Sequence, residues 1–203
     1  MIKNGRQMSP TLDGIRYDHK ARYEFAAKWI HEQTTEHVEV ADMGSGCGYG
    51  SHILAQSGCQ VLSIDIDDQA LKYGEEHYGH DCIERVAMDI SQFNGFGRQI
   101  WFAAAFEVIE HVPDGGALIA KLHECGVEWL IGSVPNESVV PFGPKVHRQH
   151  FRHYTPDQLR FALQSNGFDI DFLGGQCGKH GAEGQVLDGP DGCRTIVFAA
   201  RRK

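Results

Sequence analysis

Short apolar runs alternate with helical patterns along this chain, and the alternation gives the first prediction. Val38–Met43, Gln60–Ile66, Cys82–Met88, Ile100–Phe106 and Val127–Val134 are dense in aliphatic and aromatic residues. Such runs read as strands, and Ile100–Phe106 is continuously apolar, as in a parallel strand covered on both faces. Between them the spacing turns helical. Tyr23, Ala26, Ala27 and Ile30 share one face of a helix over His19–Glu32, widened by Phe25 and Trp29. Further helices are predicted over Gly50–Ser57, Gln69–Tyr78 and Asp114–Glu124, with Gly58 closing the first and Asp67 or Asp68 capping the second. Thr155-Pro156-Asp157-Gln158 opens another helix through a capping box with proline at its first position, and Asn166-Gly167 ends it.

Phe168–Leu173 and Thr195–Ala200 read as two last strands, with a glycine-rich stretch from Gly174 to Gly192 between them. That stretch is long for a compact domain, which marks it as functional or mobile. Residues 1–18 read as a loose arm, and Ser91–Gln99 has room only for a brief helical turn. Five strand–helix alternations and a final strand pair predict an α/β fold: an open, mostly parallel sheet with helices on both faces and one antiparallel strand. In such sheets ligands bind at the carboxyl ends of the strands. Asp42, Asp65, Asp89, Glu107 and Pro135-Asn136 all fall there.

The loop after the first strand narrows the ligand. Asp42-Met-Gly-Ser-Gly-Cys-Gly-Tyr-Gly50 places glycines at every second position, where the main chain lets a ligand approach closely. A dinucleotide loop has a different spacing, Gly-x-Gly-x-x-Gly, and the leading Asp42 would repel a pyrophosphate but attract an α-ammonium group. Asp65 is placed to accept from ribose hydroxyls, Asp89 lies where an adenine amino group would, and Ile66 and Ile90 can sandwich the ring. An amine, a ribose and an adenine without phosphate describe S-adenosylmethionine. Any one of these features alone is weak, since a strand-end Asp is commonly a helix cap.

Charge and cysteine content trim the alternatives. The 203 residues fit one domain, and the formal net charge of −8 disfavours broad binding to nucleic acid or anionic membrane. No apolar run reaches membrane-spanning length, and the N-terminus lacks the apolar core of a signal peptide. Cys47, Cys59, Cys82, Cys125, Cys177 and Cys193 form no Cys-x-x-Cys pair. They are expected to be reduced thiols of a cytoplasmic protein, neither a disulfide frame nor a zinc site.

With these residues in hand, the chain resembles the class I S-adenosylmethionine-dependent methyltransferases over nearly its whole length. Asp42–Gly50 resembles that family's first motif. Glu107-Val-Ile-Glu-His-Val-Pro113 resembles the fourth-strand motif of its ubiquinone-biosynthesis-like branch, and His19–Ala26 resembles that branch's arm helix. The resemblance implies a single domain over 1–203, with 1–36 an arm and helix over the cofactor and 37–203 a seven-stranded Rossmann-like sheet of order 3-2-1-4-5-7-6. It implies that Gly44, Ser45, Gly46, Cys47, Gly48 and Phe106 join the acids and isoleucines named above at the cofactor, with Tyr17 and Arg22 at its methionine end. Tyr23 and Phe25 are assigned to core packing. Trp101 stands where the family usually has Asp, away from the cofactor.

A second constellation follows the fourth strand. On a helical turn Glu107, Glu110 and His111 would face one way. Close carboxylates repel unless a cation lies between them, although acids also suit a solvated helix start. A divalent ion such as Mg²⁺ on these three is the sharper reading. The segment His147-Arg-Gln-His-Phe-Arg-His-Tyr-Thr155 offers a further ligand. Here Glu-x-x-Glu-His with a later His resembles the metal site of small-RNA 3′-terminal 2′-O-methyltransferases, which implies His150 as ligand, His153 as the alternative and His147 as a surface residue. Such an ion would lower the pKa of an acceptor hydroxyl; without it, His111 or His150 would act as general base, with Glu110 beside them. Arg148 and Arg152 either hold an anionic part of the acceptor or are solubilising.

The expected function is therefore methylation of a hydroxyl on a small molecule or sugar. An RNA 3′ end is a second acceptor, favoured by the basic run His147–Arg152 and the tail Arg201-Arg202-Lys203 and disfavoured by the net charge. A non-catalytic cofactor-binding partner subunit is a third reading, against which the acid and histidine cluster argues.

Overall fold

The computed structural model describes residues 2, 3 and 6–203, with side chains from Gln7 onward. One sheet organises it. We number its strands β1 (Glu39–Met43), β2 (Gln60–Asp65), β3 (Ile83–Ala87), β4 (Phe102–Phe106), β5 (Trp129–Pro135), β6 (Phe168–Gln176), β7 (Leu187–Asp188) and β8 (Thr195–Arg202). Their order across the sheet is β3-β2-β1-β4-β5-β8-β6-β7. β3 to β5 pair in parallel, and β8 runs antiparallel between β5 and β6. The count is thus eight strands where seven were expected. The additional one is the two-residue β7, which the glycine-rich stretch folds antiparallel onto β6, Gly174 opposite Asp188 and Gly175 opposite Leu187. The predicted order of the seven longer strands holds.

Helices α1 (Tyr17–Gln33), α2 (Tyr49–Gln56), α3 (Asp68–Tyr78), α4 (Gly115–Glu124) and α5 (Pro156–Ser165) cover both faces. One apolar layer joins Tyr23, Ala26, Ala27 and Ile30 of α1 and Leu54 of α2 to Val40, Phe102 and Ile131. The other joins Leu118, Ile119 and Leu122 of α4 and Leu159 and Leu163 of α5 to Leu62, Ala103 and Leu130. The caps follow the local sequence: Asp67 accepts from the Gln69 and Ala70 amides, and Thr155 and Gln158 form the expected capping box.

Two expectations are corrected here. From Ser9 onward the N-terminal arm is packed where a loose segment was expected. Ser9 and Ile15 are buried, and the Tyr78 hydroxyl donates to the Ser9 carbonyl. Cys177 and Cys193 are joined in a disulfide, while Cys47, Cys59, Cys82 and Cys125 are free. The sheet explains the pairing. β6 and β8 are antiparallel neighbours with Gln176 opposite Thr195, so the residues just beyond each strand end meet although they lie 16 apart in sequence. Gln176, the last residue of β6, ties the segment they bound to α1, since its side chain donates to the carbonyls of Asp18 and Gly184. Among the described residues no helix is long and apolar enough to cross a membrane.

Candidate active site

The strand ends open into one cavity of about 760 Å³, a size suited to a small-molecule ligand. The glycine loop forms one wall. Gly44, Gly46 and Gly48 have φ of 68°, 58° and 79°, conformations that side chains disfavour. A Cβ on Gly44 would also lie 2.9 Å from Val108. The loop is pinned from below. The Gly46 amide donates to Asp65 (2.8 Å), the Ser45 amide to the Ile64 carbonyl (2.9 Å), and the Ser63 hydroxyl to Ser45 (2.8 Å).

Nine of the expected cofactor residues line this cavity: Gly44, Ser45, Gly46, Cys47, Asp65, Ile66, Asp89, Ile90 and Phe106. Asp65 accepts from the Gly46 and Asp67 amides, one on each oxygen. Ile66 is 67% exposed and shares this lining with Ile90.

Four expected cofactor residues do not line it. Asp42 is fully buried and accepts from Tyr23 (3.0 Å) and Ser51 (2.6 Å). Its side chain points under the loop toward α2, where it anchors the loop. Burial pushes its carboxyl up to about 7, against the pull of those two hydrogen bonds. Gly48 caps α2 and packs on Gly74. Tyr17 faces the glycine-rich segment, accepting from Gln185. Arg22 is buried one layer deeper, bonded to Ser133 (3.0 Å) and paired with Glu107 (3.1 Å).

The residues that α1 does bring to the cavity are His19 and Tyr23. Their spacing of four extends the predicted Tyr23–Ile30 face back by one turn, a signal present in the sequence. Tyr23 is also core, its ring set edge-on to Phe106 at 4.8 Å. Gly50 makes room for it, since a Cβ there would lie 2.0 Å from the Tyr23 ring. His19 Nδ1 lies 2.9 Å from the Tyr49 hydroxyl, and burial with the nearby Arg22 charge holds its imidazole down at about 3.

The acid and histidine cluster sits at the cavity rim. Glu110, His111 and His150 each offer a ligand atom, all within 4.8 Å of one another. Glu110 is fully buried, and neither carboxyl oxygen has a hydrogen-bond partner. Burial, reinforced by the Glu107 charge, holds its pKa well above the usual range. His150 is held down at about 4, chiefly by burial, so its ring keeps a lone pair for a ligand.

Glu107 is not part of this group. Its Oε1 accepts from Ser133 (2.9 Å) and meets Arg22. The expected shared helical face fails because Glu107 has φ 57° and only Ile109–His111 forms a 3-10 turn, so helical spacing does not reach back to it. A non-glycine residue in this conformation stores backbone strain of the kind that marks functional sites. His147 is half-buried with its ring 4.5 Å from that of His153, where a surface position was expected. His153 is buried behind His150, so of the two it is His150 that comes within 4.8 Å of Glu110 and His111.

A family model described as a methyltransferase domain matches residues 17–172, more than three quarters of the chain. The chain belongs to this family. It is a class I methyltransferase domain of the S-adenosylmethionine-dependent kind. A ubiquinone biosynthesis O-methyltransferase of Idiomarina loihiensis is 28% identical over 143 residues, 60% of this chain and 57% of that protein. The chain spans about half the length of the first curated relatives it matches. Magnesium protoporphyrin IX methyltransferase from Synechocystis, solved with S-adenosylhomocysteine, superposes with a TM-score of 0.70 at 18% identity over 98% of this chain and 90% of that one. The small RNA methyltransferase HEN1 superposes with a TM-score of 0.70 at 17% identity over 99% of this chain and 28% of that one.

Proposed function

We propose that this methyltransferase domain methylates a hydroxyl oxygen of a small molecule, with a divalent cation held by Glu110, His111 and His150. The observation that carries the reading is the Glu110 carboxyl, fully buried with both oxygens unpartnered between two imidazoles. An unpaired buried carboxyl is costly unless a cation compensates it. One carboxylate with two imidazoles suits a borderline ion such as Mn²⁺ better than the all-oxygen surroundings of Mg²⁺.

On this reading the chain's own residues divide the work. Asp65 takes the ribose hydroxyls, and Ile66 and Ile90 take the faces of the adenine. Tyr23, Tyr49 and Phe106 give the far end of the cavity aromatic surface, which favours a sulfonium. Arg22 and Ser133 hold Glu107 at the wall beside His111. Adenosylmethionine supplies the electrophilic methyl group, and methyl transfer is an in-line displacement in which positioning supplies much of the rate. A bound cation supplies Lewis acidity that lowers the pKa of a hydroxyl beside it. His111, which lines the cavity while its Nδ1 donates to the Gln149 carbonyl (2.9 Å), presents its second nitrogen for ligation or for the acceptor proton.

The test is transfer from labelled adenosylmethionine to a panel of vicinal diols and catechols, and to an RNA oligonucleotide with a free 3′-terminal diol. The reading predicts a small-molecule product, loss of transfer with EDTA, and recovery with Mn²⁺. Transfer that survives both EDTA and Glu110→Gln refutes it. The likeness to the small RNA methyltransferase favours a second reading, RNA 3′-end methylation. Transfer to the oligonucleotide alone would select that acceptor.

A further inference from the structure

Behind one of the three candidate ligands, His150, a second imidazole meets it nitrogen to nitrogen. His150 Nδ1 lies 2.8 Å from His153 Nε2, and His153 Nδ1 lies 2.7 Å from the Val140 carbonyl oxygen. A carbonyl only accepts, so His153 Nδ1 carries the proton of that bond. When the ring of His153 holds a single proton, that proton is on Nδ1, Nε2 can only accept, and His150 Nδ1 is the donor. We infer that His153 is a positioning residue: it fixes His150 in the Nδ1–H form, so that the lone pair of His150 lies on Nε2.

The surroundings support a built relay. His153 is 5% exposed and packs edge-on against Phe142 at 5.5 Å between ring centres. The Val140 carbonyl belongs to the loop after β5, whose turn is fixed by the Val140 amide donating to Asn136 (2.7 Å). The same loop supplies the Gln149 carbonyl that takes the Nδ1 proton of His111. One loop therefore sets the tautomer of both imidazoles beside Glu110, in each case leaving Nε2 as the acceptor nitrogen. Ring nitrogens not used for ligation commonly take such partners, and removing them costs about 10–100-fold in metal affinity. The consequence for a cation rests on the function proposed above; the tautomer itself does not.

Two measurements separate the claims. Long-range ¹H–¹⁵N correlation spectra of metal-free protein labelled at histidine report which His150 nitrogen is protonated, assigned by subtraction against His150→Gln. The wild type is expected to show a protonated Nδ1. His153→Phe, which keeps a ring and removes the acceptor, is expected to shift His150 toward the Nε2–H form. His153→Gln, whose side-chain oxygen can accept, is expected to retain Nδ1–H. Mn²⁺ affinity by electron paramagnetic resonance is expected to fall about 10–100-fold in His153→Phe and to stay near wild type in His153→Gln. A wild-type His150 protonated on Nε2 overturns the inference, even if the Phe variant does not fold. So does an unchanged tautomer or an unchanged Mn²⁺ affinity in His153→Phe. A wild type that binds no Mn²⁺ but loses its Nδ1–H form in His153→Phe upholds the positioning role and removes the cation.

Discussion

Replacing Glu110 with methionine is expected to stabilise the metal-free protein and to abolish its response to Mn²⁺. Glu110 is fully buried with neither oxygen hydrogen-bonded, and a buried polar group left unpaired costs about 1–3 kcal/mol. Methionine has a similar length and adapts to irregular packing, so it removes that cost without opening a large cavity. The raised pKa points the same way, since the fold disfavours a charged carboxyl there. In a domain of this size each kcal/mol moves the melting midpoint by about 2–4 °C, so the midpoint should rise by about 2–12 °C. A cation present at 100 times its Kd would stabilise the wild type by about 2.7 kcal/mol and the variant not at all. Calorimetry in EDTA and in Mn²⁺ measures both. Most core substitutions destabilise, which makes the expected sign diagnostic. A variant less stable than wild type in EDTA, or one that Mn²⁺ still stabilises, refutes the reasoning.

Three further outcomes follow from the wall of the cavity and its supports. Gly50→Ala drives a Cβ into the Tyr23 ring, which should cost about 1–3 kcal/mol of stability and weaken S-adenosylhomocysteine binding by calorimetric titration. Asp42 has a folded-state pKa of about 7 against an ordinary value of 3.8. Its contribution is full below about pH 4 and is lost as pH rises through 7, so Asp42→Asn should gain on the wild type between pH 4 and 8 by an amount on the order of 4 kcal/mol. Urea unfolding at both pH values reads this, and parallel curves would contradict it. Cys177→Ser releases a loop of 16 residues and should lower stability by about 3 kcal/mol; a wild-type midpoint unmoved by reductant would show that the bond does not form in solution.

What could be read from the chain beforehand was its local chemistry. The strand–glycine–helix unit Asp42–Gly50, the cap at Asp67 and the box at Thr155 and Gln158 depend on neighbours within a few residues, and they stand where the pattern put them. Contacts set by sheet register or by backbone dihedrals were hidden. Nothing in the spacing of Cys177 and Cys193 shows that β6 and β8 are antiparallel neighbours. Nothing in Glu107-Val-Ile-Glu-His shows that Glu107 adopts φ 57°, which breaks the helical spacing that would align it with Glu110. On α1 the residues that continue the buried face into the cavity are His19 and Tyr23, while Tyr17 and Arg22 lie outside its lining. Asp42 was assigned a ligand because its charge suits one, but strand alternation turns it inward to Ser51 and Tyr23.

The central claim is that an adenosyl cofactor and a divalent cation occupy adjoining places, the first on Gly44–Cys47, Asp65 and Ile66, the second on Glu110, His111 and His150. A crystal grown with S-adenosylhomocysteine and soaked in Mn²⁺ tests it most directly, with anomalous data collected at the manganese edge. The account predicts the nucleoside in the glycine-loop cavity and one anomalous peak bounded by the Glu110 carboxylate and the Nε2 atoms of His111 and His150. A bound nucleoside with no peak at Glu110, or with a peak elsewhere, would contradict it.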